Sequence, residues 1–391
     1  MRYLGSANQP KEHQMSDAKR LYTKVQETLK KILTTTSQSH LVTMSLMISA
    51  LVRKGRCHLT QLAQAAPSKA KTESTHRRFQ RFIASDAEPK TLMLPFIQPL
   101  LRSFEGIRLP LALDVSEIGR GCVVLMLGIL YKGRLLPLIW QVERGGKGHW
   151  SADKHVAFAK HAKELLADKK DVVLLGDGEY DKVSFLRYLS EECGWEFVVR
   201  TAKNTLLHQS DDVQQIQHAL PVTQGQTLSV CHAKVTAQAF GPLHVIAHWK
   251  PKEKQPWYLL STFPDAHKSL NWYRKRFIIE TFFSDQKSRG FGIDKSHLSC
   301  PDRLSRLLML CCLGYLWMVY LGLQVVAERK VDEVDRSLRR QDKSLFRLGL
   351  SWLERQLKNG RHFLVMFEPP KDFVLSDVSL ARHWFDESTV M

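Results

Sequence analysis

The stretch from Leu109 to Val142, LPLALDVSEIGRGCVVLMLGILYKGRLLPLIWQV, contains three apolar runs separated by short turns. Runs of this length that are rich in Val, Ile and Leu predict buried strands. The "YKGR" between the second and third runs is a hairpin signal. The sequence therefore predicts three antiparallel strands, and the first of them contains an acid, Asp114.

The residues after this stretch alternate between helical and strand patterns. A helical pattern over residues 153–170 is followed by the strand "DVVLLGD", which ends at Asp177. The helix "DKVSFLRYLSEECG" and the strand "WEFVVR", which ends at Arg200, come next. The order β-β-β-α-β-α-β is that of a ribonuclease-H-like α/β fold, in which right-handed crossovers join the parallel strands.

The pattern divides the chain into five parts. They are a basic helical domain (1–105), the first part of the ribonuclease-H-like core (106–200), a β-rich insertion (201–262), the second part of the core (263–330) and a C-terminal helical region (331–391). The tail after Gly360 is predicted to be peripheral or partly disordered.

The charge of the chain indicates a polyanionic partner. There are 57 Lys and Arg against 39 Asp and Glu, which gives a formal charge of +18. The first 90 residues hold 16 of these cations and only 6 of the acids. Nucleic acid and an anionic membrane surface both fit this charge.

One part of the basic region resembles a helix-turn-helix. A short helical pattern at Leu59 is followed by a breaker at Pro67 and by a second helix with three arginines on or near one face, Arg77, Arg78 and Arg81. The second helix would enter a major groove. Two helices of a bundle with a solvated basic face fit the sequence equally well.

The compartment is predicted to be the cytoplasm. The seven cysteines show no paired spacing, which is typical of a reducing environment, and the N-terminus lacks a cleavable leader pattern. The run from Leu307 to Ala327 has no charge over 21 residues and is long enough to span a membrane. A buried core helix is the favoured interpretation, because the run contains Gln324 and two cysteines and nothing else in the chain resembles it.

Two acids, Asp114 and Asp177, fall where predicted strands end. The first and fourth strands are neighbours in a ribonuclease-H-like sheet, so these carboxylates would face each other across about 4.8 Å. Like charges at that distance favour a hard divalent cation with oxygen ligands, Mg²⁺ or Mn²⁺. Glu117 and Glu179 are offset towards solvent, and Asp181 is predicted to cap a helix.

A further acid lies in the segment that begins at Asn271, NWYRKRFIIETFFSDQKSRGFG. On one ideal helix four of its polar residues fall within about 60° of each other. They are Tyr273, Arg276, Glu280 and Lys287. Glu280 is thus the candidate third carboxylate of a two-metal site, whereas Asp285 lies about 140° away and is predicted to be dispensable. An ion pair between Arg276 and Glu280 on a solvated surface is the simpler alternative.

The spacing Y-x2-R-x3-E-x6-K resembles the YREK signature of bacterial insertion-sequence transposases with a DDE triad, the family often called insertion sequence four. The blocks "LALDVSEI", "LLGDGEY", "GWEFVVR" and "KQPWYLLST" are similar to the family's conserved blocks. The family often has D-x-G-[FY] where this chain has "DGEY", so the local turn departs from its pattern.

The resemblance implies a catalytic triad of Asp114, Asp177 and Glu280 that binds two Mg²⁺ (or Mn²⁺) ions. It implies contacts to DNA from several further residues: Tyr273, Arg276 and Lys287 with phosphates, Trp257 as a stacking platform for a base, and Arg200. A buried strand aromatic is an equally good interpretation of Trp257.

The implied function is that of a transposase. The basic helical domain would bind the terminal inverted repeats, and the core would perform metal-dependent cleavage and strand transfer, with some relatives using a DNA hairpin. The implied partners are double-stranded DNA, both transposon ends and target, and a second copy of the chain in a synaptic homodimer, with no membrane. The compartment would be the bacterial cytoplasm, near the nucleoid. The alternative is a catalytically silent, transposase-derived DNA-binding protein.

Overall fold

The structure, a computed structural model, describes residues 16–370 apart from residues 147, 149, 210–211 and 335–342. The described residues before the sheet form helices. The helices are α1 (Asp17–Ile32), α2 (Gln38–Lys54), α3 (Leu59–Ala65), α4 (Thr72–Ile83) and α5 (Pro89–Arg102). Most of α2 is buried, because eleven of its residues face neighbouring elements rather than water.

Helices α3 and α4 form the predicted pair. The buried side of α4 is aromatic and aliphatic, with Phe79, Phe82 and Ile83 in the core. The three arginines of this helix, Arg77, Arg78 and Arg81, are all exposed. This arrangement fits both a helix-turn-helix and a bundle with a basic outer face.

The centre of the molecule is one ten-stranded sheet in the order β3-β2-β1-β4-β5-β10-β9-β8-β6-β7. Its strands are β1 (Leu109–Ile118), β2 (Cys122–Tyr131), β3 (Arg134–Arg144), β4 (Val172–Gly176), β5 (Glu196–Thr201), β6 (Leu206–Gln209), β7 (Asp212–Gln215), β8 (Thr227–Val235), β9 (Phe240–His248) and β10 (Trp257–Ser261). The first three strands are antiparallel, while β1 pairs with β4 and β4 with β5 in parallel. The prediction that the first and fourth strands are neighbours is confirmed.

The crossovers between the parallel strands are helical. They are α6 (Ala152–Leu165) before β4, and α7 (Val183–Arg187), which continues to Cys193 as a π-helix, before β5. The residues interpreted as an insertion extend the same sheet, since β10 pairs with β5 and with β9. They also contain the short helix α8 (Ile216–Ala219).

The segment after β10 differs from the single helix assumed above. It forms α9 (Ala266–Lys275) and α10 (Ile278–Gln286), with a break between them. At the break the amides of Arg276 and Phe277 bond three residues back, to Tyr273 and Arg274, which tightens the turn. The prediction that this segment forms one ideal helix was therefore wrong.

Helix α11 (Pro301–Ala327) passes through the core. In the described part of the chain it is the one helix long and apolar enough to cross a membrane, and 94% of its most apolar window is buried within the protein. This burial favours the core-helix interpretation.

The last described segment packs against α11. Helix α12 (Leu345–Lys358) packs on it, and the rings of Phe363 and Phe367 in the following segment are buried. The Phe367 ring lies 5.9 Å from the ring of Trp317 in α11. The first residues of the tail are thus part of the core, while residues 371–391 lie outside the described residues.

Candidate active site

Asp114 on β1 and Asp177 directly after β4 lie side by side, because these two strands are neighbours in the sheet. The parallel pairing of β1 with β4 ends at Ala112 opposite Leu175. The same register, continued by two residues, sets Asp114 opposite Asp177. Both side chains are half-buried; Asp114 lies within β1, and Asp177 directly follows the buried strand β4.

Each of these carboxylates is oriented by a backbone amide close to it in sequence. Asp114 Oδ1 accepts a hydrogen bond from the Val115 amide at 2.8 Å, and Asp177 Oδ1 accepts one from the Glu179 amide at 2.9 Å. Asp177 thereby caps the short 3-10 turn that follows β4. These bonds orient one oxygen of each carboxylate through the backbone.

The prediction that Asp181 caps the next helix was wrong. Helix α7 begins after Lys182, whose side chain makes no capping bond, and Asp181 Oδ2 instead accepts a hydrogen bond from Thr201 Oγ1 at 2.9 Å. The 3-10 turn after Asp177 places Asp181 one residue too early to cap α7, so it pairs with β5.

Arg276 joins the carboxylates. Its Nη2 donates to Glu280 Oε1 at 3.1 Å, and its Nη1 lies 3.5 Å from Asp114 Oδ2. The guanidinium stacks over the ring of Phe277 with 4.4 Å to the centroid. One arginine, buried at the break between α9 and α10, therefore holds an acid from the sheet and an acid from the helix together.

Burial acts to lower the pKa of Arg276, but its surroundings outweigh this effect and raise it. Tyr273 has the largest opposing influence, followed by the three carboxylates, Asp114, Glu280 and Asp177. All three predicted catalytic acids thus help to raise the pKa of Arg276. An arginine in this setting stays charged.

Tyr273 is buried behind this arginine. Its ring packs edge-on against Trp257, with centroids 5.2 Å apart, and against Phe277 at 6.0 Å. Burial raises the pKa of Tyr273, against the influence of the cations Arg276 and Arg200. In this conformation Tyr273 supports the site from behind, and its predicted contact with a phosphate remains untested.

Trp257 and Arg200 lie on the neighbouring strands β10 and β5. Trp257 is half-buried, and its ring also lies 5.7 Å from that of Phe277. Arg200 is half-buried opposite Leu259 in the β5–β10 pairing. Trp257 therefore has a packing role, which leaves both of its predicted interpretations open.

Lys287 lies one residue beyond the end of α10. Its Nζ donates to Ser116 Oγ at 2.7 Å, so its side chain reaches back to β1. Ser116 is buried and lies two residues after Asp114, on the same face of the strand. Tyr273, Arg276 and Glu280 thus lie against one another, whereas Lys287 contacts β1.

Sequence reasoning missed several residues around the acids. Ser116 could have been found, because period-two alternation places it beside Asp114. Tyr180 and His155 had no such signal, since only the tertiary fold brings them together, with ring centroids 4.9 Å apart. Tyr180 Oη and both ring nitrogens of His155 are buried without a hydrogen-bond partner among the described residues.

The surroundings shift the pKa values of both residues. Burial raises the pKa of Tyr180 well above its usual range, and Asp114, Asp177 and Glu179 add to this effect. Burial lowers the pKa of His155 to about 4, although the Asp177 carboxylate acts in the opposite direction. The space behind Asp177 is therefore lined by buried aromatic groups that are uncharged at neutral pH.

The donor set suits a hard divalent cation, because its three members are carboxylates. The described residues include no group of three or more acids, histidines or cysteines already arranged around a metal position. Arg276 lies between Asp114 and Glu280 instead, so this location already favours positive charge. Joint binding of an ion by these acids would require Arg276 to give up its contacts.

The protein has a mixed α/β fold in which two acids of neighbouring strands lie close to an acid of α10. A protein-family model described as "Transposase DDE domain" matches residues 133–317. This range includes Asp177 and Glu280, and it begins after Asp114. The match supports a transposase, a class of enzyme that cleaves and joins DNA.

Comparison with solved structures gives weaker likenesses. A piggyBac transposase synaptic complex with hairpin DNA is 12% identical and has a TM-score of 0.42, over 92% of this chain and 82% of that one. Human endonuclease V is 15% identical with a TM-score of 0.28, over 56% and 97%. Endonuclease V of Ciona intestinalis, bound to a 24mer DNA containing an inosine followed by a ribo-adenosine, is 14% identical with a TM-score of 0.27, over 48% and 90%.

These structural likenesses are too weak to support an argument about function. A search among curated proteins found no match. The family match and the geometry of the site are the observations that bear on function.

Proposed function

We propose that this chain is a DDE transposase of the YREK type, built on a ribonuclease-H-like core. One observation carries the proposal: the carboxylates of Asp114 and Glu280 contact the single guanidinium of Arg276, and the carboxylate of Asp177 is close enough to help raise its pKa. These are the acids expected of the triad. The transposase DDE domain match across residues 133–317 supports the same class independently.

In this proposal each acid has the same task. Asp114, Asp177 and Glu280 would together hold two Mg²⁺ or Mn²⁺ ions. Bound ions of this kind supply an activated water and neutralise charge on the attacking and leaving oxygens of a phosphodiester. The backbone bonds to Asp114 and Asp177 orient these two carboxylates in advance, while Glu280 is exposed and able to move.

The cations around the acids would bind the DNA backbone. Arg276 and Lys287 lie beside the acids, Arg200 lies close to Tyr273, and the exposed arginines of α4 would contact the transposon end. Two copies of the chain would hold two inverted-repeat ends, cut them from the flanking DNA and join them to a target. Trp257 would hold an unstacked base if the reaction passes through a hairpin.

The test uses the purified chain and a duplex that carries the DNA flanking its own gene. With Mg²⁺ we expect cleavage at the element end, and we expect EDTA to abolish it. Asp114→Ala, Asp177→Ala and Glu280→Ala should each abolish cleavage and leave DNA affinity nearly unchanged. Glu117→Gln is the matched control, because Glu117 is an exposed acid on the same strand as Asp114.

Two results would count against this proposal. Full cleavage by one of the three alanine variants removes that residue from the triad. Tight, end-specific binding by the wild-type chain without cleavage under any divalent ion supports the alternative, a silent DNA-binding protein derived from a transposase.

A further inference from the structure

The end of α10 fixes the backbone of Lys287. The Lys287 amide donates to Phe283 O at 3.0 Å, and its carbonyl accepts from the Gly292 amide at 2.9 Å. The turn in between is so tight that a Cβ on Gly290 would lie 1.6 Å from Asp285 O. Only glycine fits at this position, so the turn sets where the Lys287 side chain begins.

The head of the same side chain is fixed by the sheet. Ser116 Oγ accepts from Lys287 Nζ at 2.7 Å. Ser116 is only 6% exposed, and it lies in the middle of the β1–β2 pairing opposite Val124. The hydroxyl is therefore rigidly placed, and it holds a flexible four-carbon side chain at both ends.

The location of this bond gives it a functional meaning. Asp114 and Ser116 point to the same side of β1, so the Lys287 ammonium is held on the side that carries the first predicted catalytic acid. A lysine left to itself samples many rotamers and loses that freedom when it binds a phosphate. An ammonium has three donors, so a bond to Ser116 is compatible with a bond to phosphate.

We propose that Ser116 is a positioning residue, which holds the Lys287 ammonium beside Asp114 in place to receive a DNA phosphate. This proposal rests on the function proposed above. Ser116 itself touches neither the DNA nor the reacting atoms. Its effect passes entirely through Lys287.

The test is a double-mutant cycle on cleavage and on DNA affinity. We expect Lys287→Gln to slow cleavage about ten- to a hundredfold, because a charged hydrogen bond to phosphate is lost. Ser116→Ala should slow cleavage about five- to tenfold, the effect of one lost hydrogen bond. In the Lys287→Gln background, Ser116→Ala should cause no further loss beyond about twofold.

Two further variants separate positioning from packing. Ser116→Thr keeps the hydroxyl and should restore cleavage to within about twofold of the wild type. Ser261→Ala is the matched control, since Ser261 is a fully buried serine of the same sheet and bonds to Ser269 at 2.8 Å instead of to a lysine. It should leave cleavage unchanged. Thermal unfolding of every variant shows whether it is folded.

The proposal is overturned if Ser116→Ala slows cleavage equally with and without Lys287, or if it has no effect in the wild-type background. The DNA-affinity cycle separates this from failure of the proposed function. If the wild-type chain cleaves no DNA, the proposed function is wrong. Non-additive losses of DNA affinity in the Ser116→Ala and Lys287→Gln variants would still support positioning by Ser116. Additive losses of affinity in that case overturn the positioning as well.

Discussion

Helix α10 carries two acids in two ion pairs with arginine, and the pairs differ in their access to water. Asp285 Oδ2 lies 2.9 Å from Arg134 Nη1, and their side chains are only 7% and 16% exposed. Glu280 Oε1 lies 3.1 Å from Arg276 Nη2, but the Glu280 side chain is 56% exposed. The closed pair can only hold the structure together, whereas the open pair presents a carboxylate that can change partners.

The closed pair joins the end of α10 to the start of β3. Burial raises the pKa of Asp285, although Arg134 and Arg347 both act to lower it. Tyr315 of α11 is fully buried close to this pair, and its pKa is raised first by burial and further by Asp285. Three elements thus meet at Asp285, which positions the helix that carries Glu280.

The largest expected effect lies at the open pair. Glu280→Gln should slow Mg²⁺-dependent cleavage about a thousandfold or more, because it removes a charged ligand from the proposed metal site. The free energy of unfolding should change by less than about 0.5 kcal/mol, since exposed ion pairs contribute little to stability. Cleavage rates and urea unfolding of the same preparation measure both quantities. A large loss of stability would show that the open pair is structural after all.

The second effect lies at the closed pair. Asp285→Ala should lower the free energy of unfolding by about 3 kcal/mol, because it leaves the Arg134 charge buried and unpaired. The sequence-based prediction that Asp285 is dispensable is therefore expected to hold for metal binding and to fail for stability. Urea unfolding at neutral pH provides the measurement.

The matched control for this variant removes both charges. Asp285→Leu combined with Arg134→Met should recover much of the lost stability, because no charge is then left without a partner. An Asp285→Ala protein as stable as the wild type would contradict the contrast between the two pairs.

The sequence predicted the part of this site that depends on local pattern. Asp114 and Asp177 follow apolar runs, and the strand order was enough to place β1 beside β4. Glu280 was predicted from the helical face that it shares with Tyr273, Arg276 and Lys287, and the ion pair with Arg276, which was the simpler alternative, is present in the structure. Apolar runs and helical spacing are local properties of a sequence, so these features can be predicted without knowing the fold.

The features that the sequence missed depend on packing between distant segments. The break at Arg276 arises where the chain turns under Asp114, 162 residues earlier in the sequence. The partner of Asp285 is Arg134, which no spacing rule connects with it. The separation of an open acid from a closed one therefore appears only when β3, α10 and α11 are packed together.

A third prediction concerns His155, which packs against Tyr180 in the core. His155 has a pKa of about 4 in the folded chain and about 6.5 when unfolded. Above pH 6.5 the ring is neutral in both states, and its contribution to stability is complete. Between pH 6.5 and pH 4 the unfolded chain takes up a proton that the folded chain does not, so stability falls as the pH is lowered.

The expected size of this loss is roughly 2 kcal/mol, after a discount for partial solvation. Other groups titrate in the same range, so the measurement is the difference between the wild type and His155→Phe. The phenyl ring fits among Tyr180 and Phe185 and cannot take up a proton. Parallel stability curves for the two proteins would mean that water reaches the space behind Asp177.

The smallest effect separates the two arginines. Both pair with acids of α10. A phosphate can reach Arg276, whose side chain is only 7% exposed, when the exposed Glu280 moves aside, whereas the buried Asp285 has no such freedom to leave Arg134. Each phosphate contact contributes about 0.9 to the slope of log K against log salt concentration. We therefore expect Arg276→Gln to reduce that slope by about one and Arg134→Gln to leave it unchanged, when DNA affinity is titrated from low to moderate salt. Equal slopes for the two variants would mean that Arg276 contacts only the carboxylates. Lys287 and the arginines of α4 would then be the residues that bind the DNA backbone.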